Sequence, residues 1–170
     1  TSVGYTFVGY FDQSNGQGTK YYNADGSSAH VWDKREASNS ATATLYAHWT
    51  ANTYSVHFNG NGSTSGSMDN ESFTYDEAKT LTTNAFSRTG YTFDGWYDNS
   101  ACTGSAITTL GANAYSADIT LYAKWTAIGY TISYELNGGT VATANPATYD
   151  ASTATFTLNN PTKSGWTFLG

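Results

Sequence analysis

The chain has 170 residues, of which only 12% are charged and 16% are aromatic, and its net charge is −6. A disordered chain of such polarity would be poor in aromatics, so this one can bury a core despite few aliphatic residues. Seven Lys plus Arg provide no basic footprint for nucleic acid, and no run of about 18 apolar residues is present to span a membrane.

The polar remainder is mostly Thr, Ser, Asn and Gly, which suits exposed strand faces and tight turns better than helix surfaces. The chain begins inside a motif and is expected to be a piece of something longer. The first element is a strand over Gly4-Tyr-Thr-Phe-Val-Gly-Tyr-Phe11. A glycine inside a strand marks a bulge or a close approach by another backbone. The strand should therefore kink at Gly9, with Tyr10 on the face opposite Tyr5 and Phe7. An insertion follows at about 18–40, carrying Tyr21, Tyr22 and Trp32 and then Asp33-Lys-Arg-Glu36. Loops on a rigid scaffold are where surface proteins vary their recognition. These three aromatics are the candidate ligand contacts, able to stack on a sugar ring or anchor a protein. The competing reading folds Trp32 back as a lid over a small core.

Leu45-Tyr-Ala-His-Trp49 is the next strand, with Leu45, Ala47 and Trp49 inward and His48 toward solvent. In Tyr54-Ser-Val-His-Phe58 the large residues Tyr54, Val56 and Phe58 alternate with Ser55 and His57. Asn61-Gly62 then predicts a hairpin turn, and Phe73-Thr-Tyr75 the returning strand. Gly90-Tyr-Thr-Phe-Asp-Gly-Trp-Tyr97 echoes the opening strand, with Gly95 in the place of Gly9 and Trp96 in that of Tyr10. Leu121-Tyr-Ala-Lys-Trp125 repeats Leu45–Trp49, so Trp49 and Trp125 should be buried equivalents. Tyr130, Ile132, Tyr134 and Leu136 alternate in the same way before Asn137-Gly138, and Ala147-Thr-Tyr149 stands for the returning strand. A third copy of the opening phrase occupies residues 165–170.

These echoes keep a fixed spacing. TLYAHWTA at 44–51 returns as TLYAKWTA at 120–127, and Tyr54–Phe58 returns at Tyr130–Tyr134 with the same offset. One unit of roughly 75 residues therefore recurs.

GYTFDGWY, then TLYAKWT, then an alternating strand ending in NGG, a Tyr-Asp segment and PTKSGWTF together resemble the Listeria–Bacteroides repeat. The pattern is also similar to the B-repeat of internalin-type surface proteins. In this frame residues 4–50 are a half unit, 54–126 a full unit and 130–170 a half unit. Phe86 stands where the later unit has Pro161, and Tyr10 where the middle one has Trp96. The resemblance implies a mostly β or α+β chain of tandem β-grasp-like modules, four strands each with at most a short helix. It further implies an extracellular place, on a bacterial cell surface or secreted, no catalytic residues and no cofactor. Two half units leave unpaired strand edges, which seek partners. Either the domains are permuted, as 1–86 and 87–170, or the end of one chain pairs head to tail with the start of the next.

No catalytic or metal motif is present. His30, His48 and His57 are scattered, and Asp76 and Glu77 alternate faces of a strand. Asn23-Ala-Asp-Gly-Ser-Ser28 lacks the carboxylates of a calcium loop and reads as a turn. Cys102 is a lone cysteine with no histidine near in sequence. Two function classes remain. One is a non-enzymatic spacer whose partners are neighbouring repeats; the other is an adhesive module that binds glycan or host or matrix protein through the insertion.

Overall fold

The computed structural model describes residues 2–32 and 42–170. Within them the chain runs as strands β1 (Tyr5–Phe11), β2 (Lys20–Asn23), β3 (Tyr46–Ala51), β4 (Thr53–Asn59), β5 (Glu71–Thr74) and β6 (Lys79–Thr80). Then follow β7 (Tyr91–Tyr97), β8 (Thr109–Leu110), β9 (Ile119–Ala127), β10 (Tyr130–Thr131) and β11 (Thr148–Tyr149). The chain is mostly β, and the described residues hold no α-helix, only a 3-10 turn at Ser14–Gly16. The sheets have the orders β2-β1-β3, β5-β4-β9-β7, β6-β8 and β10-β11.

The chain divides into two compact units. The first comprises Thr1–Phe58, Asp69–Thr82 and Ile107–Leu121; the second comprises Asn59–Met68, Thr83–Ala106 and Tyr122–Gly170. Strand β9 runs from the first unit into the second. In the first unit Tyr21, Val56, Phe73, Leu110 and Leu121 are buried, and in the second Trp96, Tyr97 and Ala123.

Strands β1 and β3 pair antiparallel as Phe7↔Trp49, Gly9↔His48 and Tyr10↔Ala47, with a register shift between Phe7 and Gly9. Strands β7 and β9 repeat this pairing as Phe93↔Trp125, Gly95↔Lys124 and Trp96↔Ala123, with the shift between Phe93 and Gly95. Val8 and Asp94 are thus the extra residues of two equivalent β-bulges. The bulge needs glycine, since Gly9 and Gly95 have φ of 145° and 133°. A Cβ at Gly95 would come within 2.9 Å of the Ala106 Cβ. The expected kink is therefore present, but its effect on side-chain direction is the reverse of the expectation. An extra residue inverts parity, so Trp96 lands on the same face as Phe93, their rings 5.1 Å apart. Tyr10 and Phe7 meet likewise at 5.2 Å.

Strand β4 pairs with β5 through Tyr54↔Phe73. One repeat later, β10 pairs with β11 through Tyr130↔Tyr149. Asn61 and Asn137 both take the left-handed conformation, with φ of 46° and 48°. These corners do not join paired strands directly as a hairpin would. The chain leaving them first forms the bridges Ser65↔Ser87 and Thr140↔Thr162.

Candidate functional site

The insertion is not wholly a loop. Lys20–Asn23 forms β2 against β1, with Gly9↔Asn23 and Tyr10↔Tyr22 opposite each other. Alternation along β2 sends Tyr21 inward, where it is 2% exposed, and leaves Tyr22 36% exposed. Tyr21 is therefore a core residue, its ring edge-on to Trp32 at 5.0 Å and to His30 at 5.3 Å. Trp32 keeps 46% of its surface exposed while resting on Tyr21. Asp33–Glu36 lie outside the described residues.

Beside Tyr22 lies an open cleft of about 580 Å³, lined by Phe7, Tyr10, Asn23, Asp25 and Leu45. Asn23–Ser28 forms the expected turn, with the Asn23 N–H donating to the Ser27 carbonyl at 2.9 Å. The Ser27 hydroxyl and backbone N–H donate to Asp25 Oδ1 at 2.6 and 2.8 Å. These bonds hold the Asp25 carboxyl below its ordinary range. The cleft thus joins apolar rings to one anionic rim.

In the 54–126 repeat the matching face is covered. The Trp125 indole N–H donates to the Gly60 carbonyl at 2.8 Å, and Phe86 packs edge-on to Trp96 at 6.2 Å. The Asn61 amide donates to the Ala123 carbonyl at 3.0 Å and to the Ser100 carbonyl at 3.2 Å. Leu121 and Ala123 on this repeat are 0% exposed. In the first copy Ala47 is exposed and Trp49 is 37% exposed. The expectation of two buried, equivalent tryptophans fails on both counts, since Trp125 is half-buried and Trp49 exposed. They share a ladder position, yet no described segment lies over Trp49 as Gly60 lies over Trp125.

The remaining polar residues form no catalytic arrangement among the described residues. His48 is half-buried rather than fully solvent-facing, its ring edge-on to Phe11 at 5.6 Å. Lys124 bonds the Tyr97 hydroxyl at 3.3 Å and pairs with Asp94 at 3.5 Å, and these two partners raise its pKa. Cys102 Sγ lies 3.3 Å from the Asn61 amide nitrogen, and its thiol donates to the Ala123 carbonyl at 3.6 Å. Among the described residues no three His, Cys, Asp or Glu side chains are grouped as a metal site. No helix there is long and apolar enough to cross a membrane. The Asn61 amide was the residue that sequence reasoning missed. Asn-Gly signals a turn, and nothing local signals that the side chain reaches across to another strand.

The model of the Listeria-Bacteroides repeat domain matches residues 54–124 and 130–170. The chain is 34% identical over 140 residues to a protein of Evansella cellulosilytica named "Putative membrane protein", covering 82% of this chain and 20% of that one. It is 35% identical over 127 residues to Internalin H of Listeria monocytogenes, covering 74% of this chain and 20% of that protein. A Gly-rich membrane protein of Evansella cellulosilytica, so named with the same qualifier, is 36% identical over 110 residues, covering 64% of this chain and 12% of that protein. The chain thus spans a fifth or less of the length of these relatives. No solved structure matches it.

Proposed function

Since this chain belongs to the Listeria-Bacteroides repeat domain family, we propose that it is a non-enzymatic repeat segment of a bacterial secreted or cell-surface protein and acts there as a stalk. The observation that carries the reading is the duplicated ladder. Strands β1–β3 and β7–β9 share register, bulge and glycine at every paired position. Residues conserved between two copies of one chain are spent on packing and strand pairing, with no chemical group held in common at an open site. Long antiparallel ladders resist being pulled apart because their hydrogen bonds share the load. The names of the relatives, Internalin H and two membrane proteins, support a place at the cell envelope.

A second reading, adhesion, is favoured by one observation. Tyr22 and the edge of the Asp25 turn flank an open aromatic cleft that the 54–126 repeat lacks, and Trp32 stands half-exposed on the same insertion. Glycan and matrix-protein arrays probed with the intact chain separate the two readings. The stalk reading expects no hit. A hit abolished by Tyr22→Ala or Trp32→Ala, with an unmoved melting curve, overturns it in favour of adhesion.

A further inference from the structure

Two joints link consecutive repeat segments, and their residues can be compared position for position. At the first, residues 4–51 pass into the 54–126 repeat through Asn52, the single residue between β3 and β4. At the second, that repeat passes into residues 130–170 through Ile128 and Gly129, between β9 and β10. A matched backbone bond closes each joint. The Asn52 N–H donates to the Gly4 carbonyl at 2.8 Å, and the Ile128 N–H to the Gly90 carbonyl at 2.9 Å. Gly4 and Gly90 open the two aromatic phrases with φ of 75° and 78°.

What lies over those glycines differs. At the first joint the Tyr75 ring occupies the place of a Gly4 Cβ, which would collide with three of its carbons. Gly4 is buried beneath it, and the same ring meets Tyr5 edge-on at 5.4 Å. The Tyr75 N–H donates to the Asn52 carbonyl at 3.0 Å, so ring and backbone both engage the joint. The Asn52 side chain binds in both directions. Its Oδ1 accepts from the Thr6 hydroxyl at 2.5 Å, and its amide donates to the Tyr54 hydroxyl at 3.2 Å. One repeat on, each of these residues is replaced. Ala151 stands for Tyr75 and is exposed, touching the Gly90 site with its methyl alone. Ile128 stands for Asn52 and has no side-chain hydrogen-bonding group. Gly129 stands for Thr53, which pairs with Thr74, and its Cβ position is open space. All three differences loosen the second joint.

We propose that the first joint is a latch and the second a hinge. The Tyr75 ring and the Asn52 side chain fix residues 4–51 on the 54–126 repeat, whereas Ile128–Gly129 lets residues 130–170 reorient on it. A hinge is a few residues at an element's end that absorb backbone rotation, and glycine absorbs it most readily. A latch needs groups that bind across the joint, and Tyr75 and Asn52 supply them. This goes beyond the stalk reading and holds equally for an adhesive chain. Stiffness is then set at three positions per joint while the strand register stays common to the copies.

Amide hydrogen exchange of the intact chain, followed residue by residue by NMR, tests this, since the Asn52 and Ile128 N–H groups are matched reporters. Corrected for intrinsic rates, Asn52 should exchange at least about tenfold more slowly than Ile128. Tyr75→Ala should speed Asn52 about tenfold, the worth of one ring contact, and leave Ile128 and the amides of β9 unchanged. Gly129→Thr combined with Ala151→Tyr should slow Ile128 toward the rate of Asn52. Equal exchange at the two amides of the parent chain overturns the proposal. So does a Tyr75→Ala variant that speeds β9 as much as Asn52, which would make Tyr75 general packing, or a double variant that leaves Ile128 unmoved.

Discussion

Asn61→Gly isolates what one side chain contributes to closing a repeat. Glycine adopts φ near 46° without strain, so the corner itself survives. Lost are the donations from the amide to the Ala123 carbonyl at 3.0 Å and the Ser100 carbonyl at 3.2 Å. Each is a net contribution of about 1 kcal/mol. The Ala123 carbonyl belongs to a residue with 0% exposure, so water cannot readily replace the donor there. Glycine also adds about 0.5 kcal/mol of unfolded-chain entropy. The expected total is about 2–3 kcal/mol, read as a lower urea midpoint with an unchanged slope. The control is Asn137→Gly. It should cost only the entropy term, below about 1 kcal/mol. Equal losses for the two variants would refute the argument, because they would place the effect in the corner and not in the amide.

The two tryptophans should part company in the same assay: Trp125→Ala should cost about 2 kcal/mol, below the range for a fully buried tryptophan, and Trp49→Ala less, since only the half-buried Trp125 donates to the Gly60 carbonyl. Similar losses would show that Trp49 is packed as tightly as its counterpart. Burial raises the Glu71 carboxyl, but bonds from Thr82 and Lys79 outweigh it, and the net pKa is lowered. A carboxyl depressed in the folded state stabilises above its unfolded pKa, and that contribution disappears as pH falls through the folded value. Thermal melts should therefore show a smaller acid-induced fall in Glu71→Gln than in the parent chain; parallel falls would remove Glu71 from the account.

Period-two alternation made the long strands readable in advance. Val56 is 0% exposed between half-buried neighbours, and Leu121 and Ala123 alternate with Tyr122 and Lys124 as expected. The aromatic parity of β7 was not readable, because a bulge is a two-strand property. Only the partner strand reveals that Asp94 has no residue of its own opposite it. β2 does not show in the sequence, since four residues, Lys20–Asn23, give alternation too little length to declare itself. The two-residue β6 and β8 were hidden for the same reason. At the candidate site, composition marked Tyr21 and Tyr22 together. Pairing with β1 then separated them, because adjacent strand residues face opposite ways. The cover on Trp125 was illegible for a different reason, as it comes from Gly60, which is distant in sequence and carries no side chain.

The bulge also frees one position from the packing code. Val8 and Asp94 are the residues that the ladder skips, and they differ in chemistry while every flanking aromatic and glycine is matched by kind. Asp94 uses this freedom to pair with Lys124 at 3.5 Å, the residue that replaces His48 of the earlier copy. Charge can thus be rewritten, copy by copy, at a two-residue address on the outer surface while the interior stays constant. An array built from such units can vary charge at this address without disturbing the strand pairing that keeps each copy folded.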